Sequence, residues 1–321
     1  IRDRDVTGVQ TCALPIWLPT LIFLFFYLKQ SVFLRAMIKR LGAFFLVVLF
    51  LMVTTSFSPV KYNCNESGHE IITKLLNQID NLQTLKWSLK VIERIEGKPK
   101  YYGSSVKLQL NPRKVYINIK GTELLWLAGK NNGKALVHPN SFPYFNLNLD
   151  PAGSLMRDGQ HHSIHEMGFT YMGQIIKQFE LKAQKNFESV FVFQGEEKHN
   201  NQKCYKIQIQ NPGFAFNNYV VKKGEDMISI ARKYFVNEFM ILENNPKFDD
   251  YNDVKEGDIL RIPNAYAKNV TLYIDKLNYM PIGIRVEDDK GLYEQYDYSS
   301  LQVNPKIAEE EFTRNFKEYN F

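Results

Sequence analysis

YVVKKGEDMISIARKYFVNEFMILENNPKFDDYNDVKEGDILRIP, residues 219–263, forms a self-contained pattern within the chain. Tyr219-Val220-Val221 is an aromatic and β-branched run. Such side chains pack well on a pleated surface, so the run favours a strand. Lys222-Lys223-Gly224 breaks it. Met227, Ile230, Ala231 and Tyr234 then recur at helical spacing, and Phe239 and Leu242 stand three apart in a second helical run over Glu238–Glu243. Asn244-Asn245-Pro246 stops that run, because proline lacks the amide hydrogen a further turn needs and Asn tolerates left-handed geometry. Lys255-Glu256-Gly257-Asp258 reads as a turn, and Ile259–Pro263 as a closing strand. The predicted order is strand, helix, helix, strand.

On both sides of this stretch the pattern changes to alternation with period two. Leu85-x-Trp87-x-Leu89-x-Val91, Val106-x-Leu108-x-Leu110 and Val115-x-Ile117-x-Ile119 precede it, and Leu124–Leu127 and Ala135–Val137 flank a hairpin signal at Lys130–Lys134. Val190–Phe193 and Cys204–Ile209 follow around Asn200-Asn201. Beyond Pro263 come Val270-x-Leu272-x-Ile274, Pro281–Val286 and Leu292–Tyr298. One-sided strands joined by short turns predict an antiparallel meander with one solvated face. The alternation stops before Tyr219 and resumes after Pro263, so the domain reading is one discontinuous sheet domain, 59–218 and 264–321, interrupted by a module at 219–263. Ser67 with Glu70 is a capping box opening an amphipathic helix with Ile71, Ile72, Leu75, Leu76, Ile79 and Leu82 on one stripe.

The N-terminal residues read differently. Residues 6–16 (VTGVQTCALPI) look like the translation of a sequencing-adapter read-through, so residues 1–36 are expected to be artefact or upstream sequence. From Met37, Lys39-Arg40, the apolar run Leu41–Val53 and the small residues of Thr54–Ser58 form a secretory signal peptide over 37–58, which places the protein in the periplasm or cell envelope. Export permits a disulfide between Cys64 and Cys204, the two cysteines beyond that leader; two separate buried thiols are the other reading. Residues 1–58 hold six Lys/Arg and two Asp/Glu, which leaves 34 and 32 out of the chain's 40 and 34. So even a balance argues against a nucleic-acid partner.

Gln160-His161-His162-Ser163-Ile164-His165-Glu166 leads into a helix running to about Ala183, with Ile164, Met167, Tyr171, Ile175 and Phe179 on one face. Three His and a Glu in six residues raise a metal-dependent hydrolase, but the Glu does not lie between the i, i+4 histidines as a general base would. His161, His162, His165 and Glu166 are therefore weak metal candidates. The favoured reading gives these groups the task of satisfying free amides at a helix start. No nucleophile elbow, HExxH or Cys-His arrangement is present, so no catalytic residue and no cofactor is expected.

Two resemblances follow from these residues. Tyr219-x-Val221, Lys222-x-Gly224, Ile230-Ala231, Leu242-x-x-Asn245-Pro246, Gly257 and Leu260-x-Ile262-Pro263 resemble the LysM module. The chain departs from it at Glu225-Asp226, where the family has Asp followed by Thr or Ser, and in an acidic, slightly long segment between Pro246 and Gly257. The resemblance implies recognition of N-acetylglucosamine-containing glycans, chiefly peptidoglycan. Carried over by position, the glycan site is Gly224, Glu225, Asp226 and Met227 facing Asn245, Pro246 and Lys247.

Tyr296-x-Tyr298-x-x-Leu301-x-Val303-Asn304-Pro305, Ile307-x-Glu309-Glu310-Glu311-Phe312 and Leu277-Asn278-Tyr279-x-Pro281 resemble the ending of outer-membrane lipoprotein carriers. Asn148–Pro151, His161-His162 and Glu166-x-Gly168-Phe169 are similar to the domain of unknown function 1571 family, which has the same kind of fold. The implied fold is α+β: a strongly curved antiparallel sheet, a carrier-like half barrel, packed on helices, with an inserted β-α-α-β LysM module. The expected function is non-catalytic binding of wall glycan. The alternative is a carrier or chaperone whose concave face takes a lipid or an acylated protein.

Overall fold

The computed structural model describes residues 66–321. The candidate signal peptide at 37–58 and Cys64 lie outside those residues.

The capping box forms as expected. The Glu70 amide donates to Ser67 Oγ (3.1 Å) and the Ser67 amide donates to Glu70 Oε2 (2.9 Å). These two bonds satisfy amide groups that the first turn of helix α1 (Gly68–Asp80) leaves free. Ile71, Ile72, Leu75, Leu76 and Ile79 of its stripe are buried.

Thirteen strands follow among the described residues: β1 (Thr84–Ile95), β2 (Lys98–Leu110), β3 (Arg113–Ile119), β4 (Thr122–Leu127), β5 (Ala135–His138), β6 (Leu147–Leu149), β7 (Phe191–His199), β8 (Gln202–Gln210), β9 (Phe216–Val220), β10 (Ile259–Pro263), β11 (Asn269–Asp275), β12 (Pro281–Asp288) and β13 (Gly291–Val303). Eleven form one curved antiparallel sheet in the order β6-β5-β4-β3-β2-β1-β13-β12-β11-β8-β7. The other two, β9 and β10, pair only with each other. Five further helices are α2 (Ser154–Arg157), α3 (Thr170–Ala183), α4 (Phe187–Val190), α5 (Met227–Tyr234) and α6 (Glu238–Glu243).

The alternation in β1 maps onto the sheet directly. Leu85, Trp87, Leu89, Val91 and Glu93 point inward and are buried. The expectation of one solvated face fails at β3 and β4, where Val115, Tyr116, Ile117 and Leu124, Leu125, Trp126 are buried on both faces. The cause is the C-terminal tail. Ile307, Phe312, Tyr319 and Phe321 cover Tyr116 and Leu125 on the outer face, and the Tyr319 ring stacks on Tyr116 at 3.9 Å. Lys86 and Lys107 each meet Glu311 at 2.8 Å to hold the tail down.

Helices α1 and α3 fill the inner face. Gly173 permits their close approach, since a Cβ there would stand 3.0 Å from Ile79 Cγ2. Helix α3 begins later than the sequence pattern predicts. Ile164–Glu166 forms only a 3-10 turn, and Gly168 then takes a φ of +99°, in the region only glycine adopts freely. The backbone there runs so close to β2 that a Cβ would lie 2.6 Å from Leu108 Cδ2.

Strands β8 and β11 are neighbours, with Gln210 opposite Asn269, and the Asn211 amide donates to Lys268 O at 2.8 Å. The pair β9–β10 and helices α5 and α6 therefore emerge between two adjacent strands. They enclose a core of their own, centred on Val221, Met227, Ile230, Ile241, Leu260 and Ile262. Met240 of the same helices packs instead into the main core.

Candidate functional site

The loops predicted to hold glycan lie at the ends of the small strand pair. Asp226 N-caps α5, its Oδ1 accepting the Ser229 amide at 2.6 Å. Met227 is fully buried, and its amide donates to Tyr251 O at 3.1 Å. Asn245 is buried as a brace: its Nδ2 donates to Ile241 O (2.7 Å) and Arg261 O (2.9 Å), and its Oδ1 accepts the Arg261 amide (2.8 Å). Glu225 accepts from Tyr219 Oη (2.7 Å), the Lys222 amide (3.0 Å) and Lys233 Nζ (2.8 Å). Four of the seven predicted residues thus spend their side chains inside the module. Gly224, Pro246 and Lys247 stand outward, with Lys247 Nζ 3.7 Å from Asp258.

The hydrogen bond from Lys233, with that from Tyr219, pulls the Glu225 carboxyl down to about 2. A carboxyl with a depressed pKa stabilises the fold above its unfolded value, and that contribution is lost as pH falls through the folded one. Stability is therefore expected to drop between about pH 4.5 and pH 2. Glu225→Gln should flatten that part of an acid titration followed by circular dichroism. An unchanged acid limb would show that the Lys233 contact contributes nothing.

A second site lies beneath the large sheet. A cavity of about 170 Å³ is walled mainly by apolar side chains of β1, α3 and the β11–β13 strands, including Trp87, Leu89, Ile175, Leu272 and Ile284. One part of its wall is polar: Glu93, Tyr102, His162, Tyr266, Glu294 and Tyr296. Glu294 Oε2 lies 2.8 Å from His161 Nδ1 and 3.3 Å from His162 Nε2, and its Oε1 accepts from Tyr266 Oη at 2.7 Å. Tyr296 Oη lies 2.8 Å from Glu93 Oε1 and 3.1 Å from Glu294 Oε2, so one phenol proton serves two carboxyl groups. Burial pushes the phenols of Tyr266 and Tyr296 well up, reinforced by Glu294, and both remain donors. Burial opposes charge on Glu294 and on His162, but each outweighs that cost for the other. The Glu294 carboxyl is held well below the usual range and the His162 imidazole is raised.

The weak metal cluster read from the sequence does not assemble. His161 and His162 turn to Glu294, whereas His165 packs edge-on against the Trp126 indole with 4.8 Å between centroids. Glu166 accepts the Ser163 amide (2.8 Å) and pairs with Arg232. The i, i+4 argument fails for His161 and His165 because the segment is not a continuous helix, so four residues do not bring them to one face. Of the four, only His162 and Glu166 approach each other, at 3.4 Å. A hydrolase built on this quartet has no site. Cys204 lies buried in β8 with its Sγ 3.5 Å from Glu197 O.

Sequence reasoning missed Glu93, Glu294, Tyr266 and Tyr296. A signal for three of them was present. Glu93 continues the inward alternation of Leu85, Trp87, Leu89 and Val91, and Glu294 and Tyr296 share one phase of β13.

The two sites are joined by a polar interface. Arg157 Nη2 donates to Glu238 Oε1 (2.8 Å), Arg232 Nη1 donates to Glu238 Oε2 (3.0 Å), and Arg232 also pairs with Glu166. Tyr171 Oη donates to Val236 O (3.1 Å), Tyr293 Oη to Asn237 Oδ1 (3.0 Å), and Phe239 stacks on His161 at 4.8 Å. The small unit is docked against the segment that lines the cavity.

Comparison with known proteins finds two family matches in the chain. Residues 83–237 match the family described as protein of unknown function DUF1571, and residues 219–263 match the LysM domain. No curated protein matches the chain. Similar solved structures include the lipoprotein LppX of Mycobacterium tuberculosis, 11% identical over 75% of this chain and 99% of that one, with a TM-score of 0.35. LprF of Mycobacterium bovis is 11% identical over 75% and 94%, with a TM-score of 0.35. A LolA superfamily protein of Nitrosomonas europaea is 10% identical over 78% and 99%, with a TM-score of 0.29. The chain therefore matches DUF1571 over a stretch that overlaps its match to the LysM domain, at residues 219–237.

Proposed function

We propose that this is a non-catalytic cell-envelope protein that binds N-acetylglucosamine-containing glycan, peptidoglycan above all, through residues 219–263. The observation that carries the reading is the match of those residues to the LysM domain. Its second support is that Gly224, Pro246 and Lys247 stay outward while their neighbours are used internally. The contact would consist of backbone groups at Gly224, Pro246 and Lys247 with the exposed side chains of Pro246 and Lys247. Such a shallow surface gives weak affinity for one sugar and better retention on a long polymer. The sheet domain, 59–218 and 264–321, holds this module at two points of the chain.

The test is co-sedimentation of the purified protein with insoluble peptidoglycan. The wild type is expected in the pellet, and Pro246→Ser combined with Lys247→Glu should weaken the affinity by roughly tenfold, about 1.4 kcal/mol. Both positions are exposed, and an unchanged circular dichroism spectrum is the check that the variant folds. Wild-type protein that stays in the supernatant would sink the reading.

The cavity favours a second activity of the same protein: an apolar chain, from a lipid or an acylated protein, held under the sheet. The support is a largely apolar wall ending at one polar patch, the arrangement small-molecule sites commonly show. Mass spectrometry of organic extracts from natively purified protein is expected to find such a chain. Consistently empty protein would count against it.

A further inference from the structure

Glu93 on β1 and Glu294 on β13 are direct cross-strand partners, and each is only 1% exposed. Like charges placed opposite each other destabilise a sheet, and burial multiplies the cost. A structural pair of this kind calls for cations. Among the described residues no Lys or Arg lies within 4.0 Å of either carboxylate; His161 and His162 approach Glu294, and Glu93 has no cationic side chain within that distance. Neighbouring Arg94 turns away to Asp288, its Nη1 3.0 Å from Asp288 Oδ1.

His161 sharpens the requirement. It is fully buried, held between the Tyr293 ring (4.0 Å) and the Phe239 ring (4.8 Å). Its Nε2 lies 3.0 Å from the carbonyl oxygen of Arg94. A carbonyl can only accept, so Nε2 carries a ring hydrogen, and the neutral form of this imidazole has its lone pair at Nδ1. Nδ1 stands 2.8 Å from Glu294 Oε2, so without a metal it holds a second ring proton that it donates to the carboxylate, and a bound cation can take the place of that proton. The His161 backbone amide donates to Glu93 Oε2 at 3.2 Å, which fixes the same residue against both carboxylates. Three electron-pair donors therefore converge from β1, β13 and the loop before α3. One ligand atom from each of Glu93, His161 and Glu294 lies within 4.8 Å of the others.

We infer that Glu93, His161 and Glu294 bind a divalent transition-metal ion of the zinc type. An imidazole with two carboxylates suits such an ion, which takes nitrogen and oxygen donors at about 2.0–2.2 Å. A metal-binding histidine ordinarily donates its other ring hydrogen to a carbonyl or carboxylate, which sets the tautomer, and the Arg94 carbonyl is placed for that role. The ion would neutralise the facing carboxylates and replace the proton between His161 Nδ1 and Glu294 Oε2. Glu93 and Glu294 line the cavity, so the remaining coordination positions open onto it. The inference stands on these contacts alone and does not depend on what the cavity or the LysM loops bind.

The experiment is Zn²⁺ titration by calorimetry of full-length protein stripped with a chelator. Wild type is expected to take up one equivalent. Glu93→Gln and His161→Gln, which keep the side-chain size closely, should weaken uptake by roughly tenfold or more. His165→Ala, outside the trio, should leave it unchanged. Should the buried variants fail to fold, ¹⁵N spectra of histidine-labelled wild type provide the reading. Zn²⁺ should move the Nδ1 resonance of His161 and leave Nε2 protonated. No uptake by wild type, equal uptake by Glu93→Gln, or an unmoved His161 Nδ1 would each overturn the site.

Discussion

Glu238→Leu is expected to destabilise the protein by about 3–5 kcal/mol, the cost of leaving one partner of a buried ion pair without the other. Glu238 is fully buried at the start of α6, and the Arg157 side chain that meets it at 2.8 Å is 3% exposed. Burial alone would raise the Glu238 carboxyl, but Arg232 and Arg157 outweigh it and hold it below its ordinary value. Without the carboxylate, Arg157 keeps only the Tyr251 ring, 4.6 Å from its guanidinium carbon. Arg232 suffers less, because it is about a third exposed and retains Glu166. In thermal denaturation the loss corresponds to roughly 10 °C for a domain of this size. The double variant Arg157→Met, Glu238→Leu should recover most of it, since two matched apolar groups leave no orphaned charge. A Glu238→Leu protein that melts within a degree of wild type would show that the pair does not hold the module to the sheet. The sign with pH follows from the depressed carboxyl. The contribution of Glu238 is present at neutral pH and fades on acidification through its folded value.

Trp87→Ala should cost a similar amount, about 3–5 kcal/mol, for a different reason. Trp87 sits in the inward phase of β1, 3% exposed, with Phe169 6.3 Å away by ring centroids. It also lines the cavity. Truncation removes its buried apolar surface and merges the vacated space with a void already there, so neighbours have little reason to collapse inward. Trp87→Phe should cost far less, since most of the ring volume remains. Denaturant unfolding followed by far-UV circular dichroism checks both. If the alanine variant unfolds at the wild-type midpoint, Trp87 is not part of the packed wall. The enlarged cavity should also alter which chain lengths are recovered in organic extracts, which links this variant to the second activity proposed above.

The LysM unit was legible because its signals are local. Capping by Asp226, the stop at Asn245-Pro246 and the short closing strand each involve residues within a few positions of one another. The sheet's strands were legible for the same reason, since alternation reveals a half-buried strand wherever it lies. The start of α3 was misread. Ile164, Met167 and Tyr171 have helical spacing, but Gly168 must leave the helix to let the backbone pass Leu108. That contact depends on a residue sixty positions earlier. The His cluster failed for a related cause: spacing implies geometry only inside a regular helix.

The sequence by itself determined the α+β class, the strand periodicity, and a module of two short strands and two helices at 219–263. Those depend on backbone propensity and on which face of each element is apolar. Only the tertiary structure decided that β8 and β11 are adjacent and that the module is docked through Arg157 and Glu238. It also brought Glu93 opposite Glu294 and set His161 against both. Strand register between residues two hundred positions apart is chosen by the packing of the whole sheet, and short-range preferences carry no information about it.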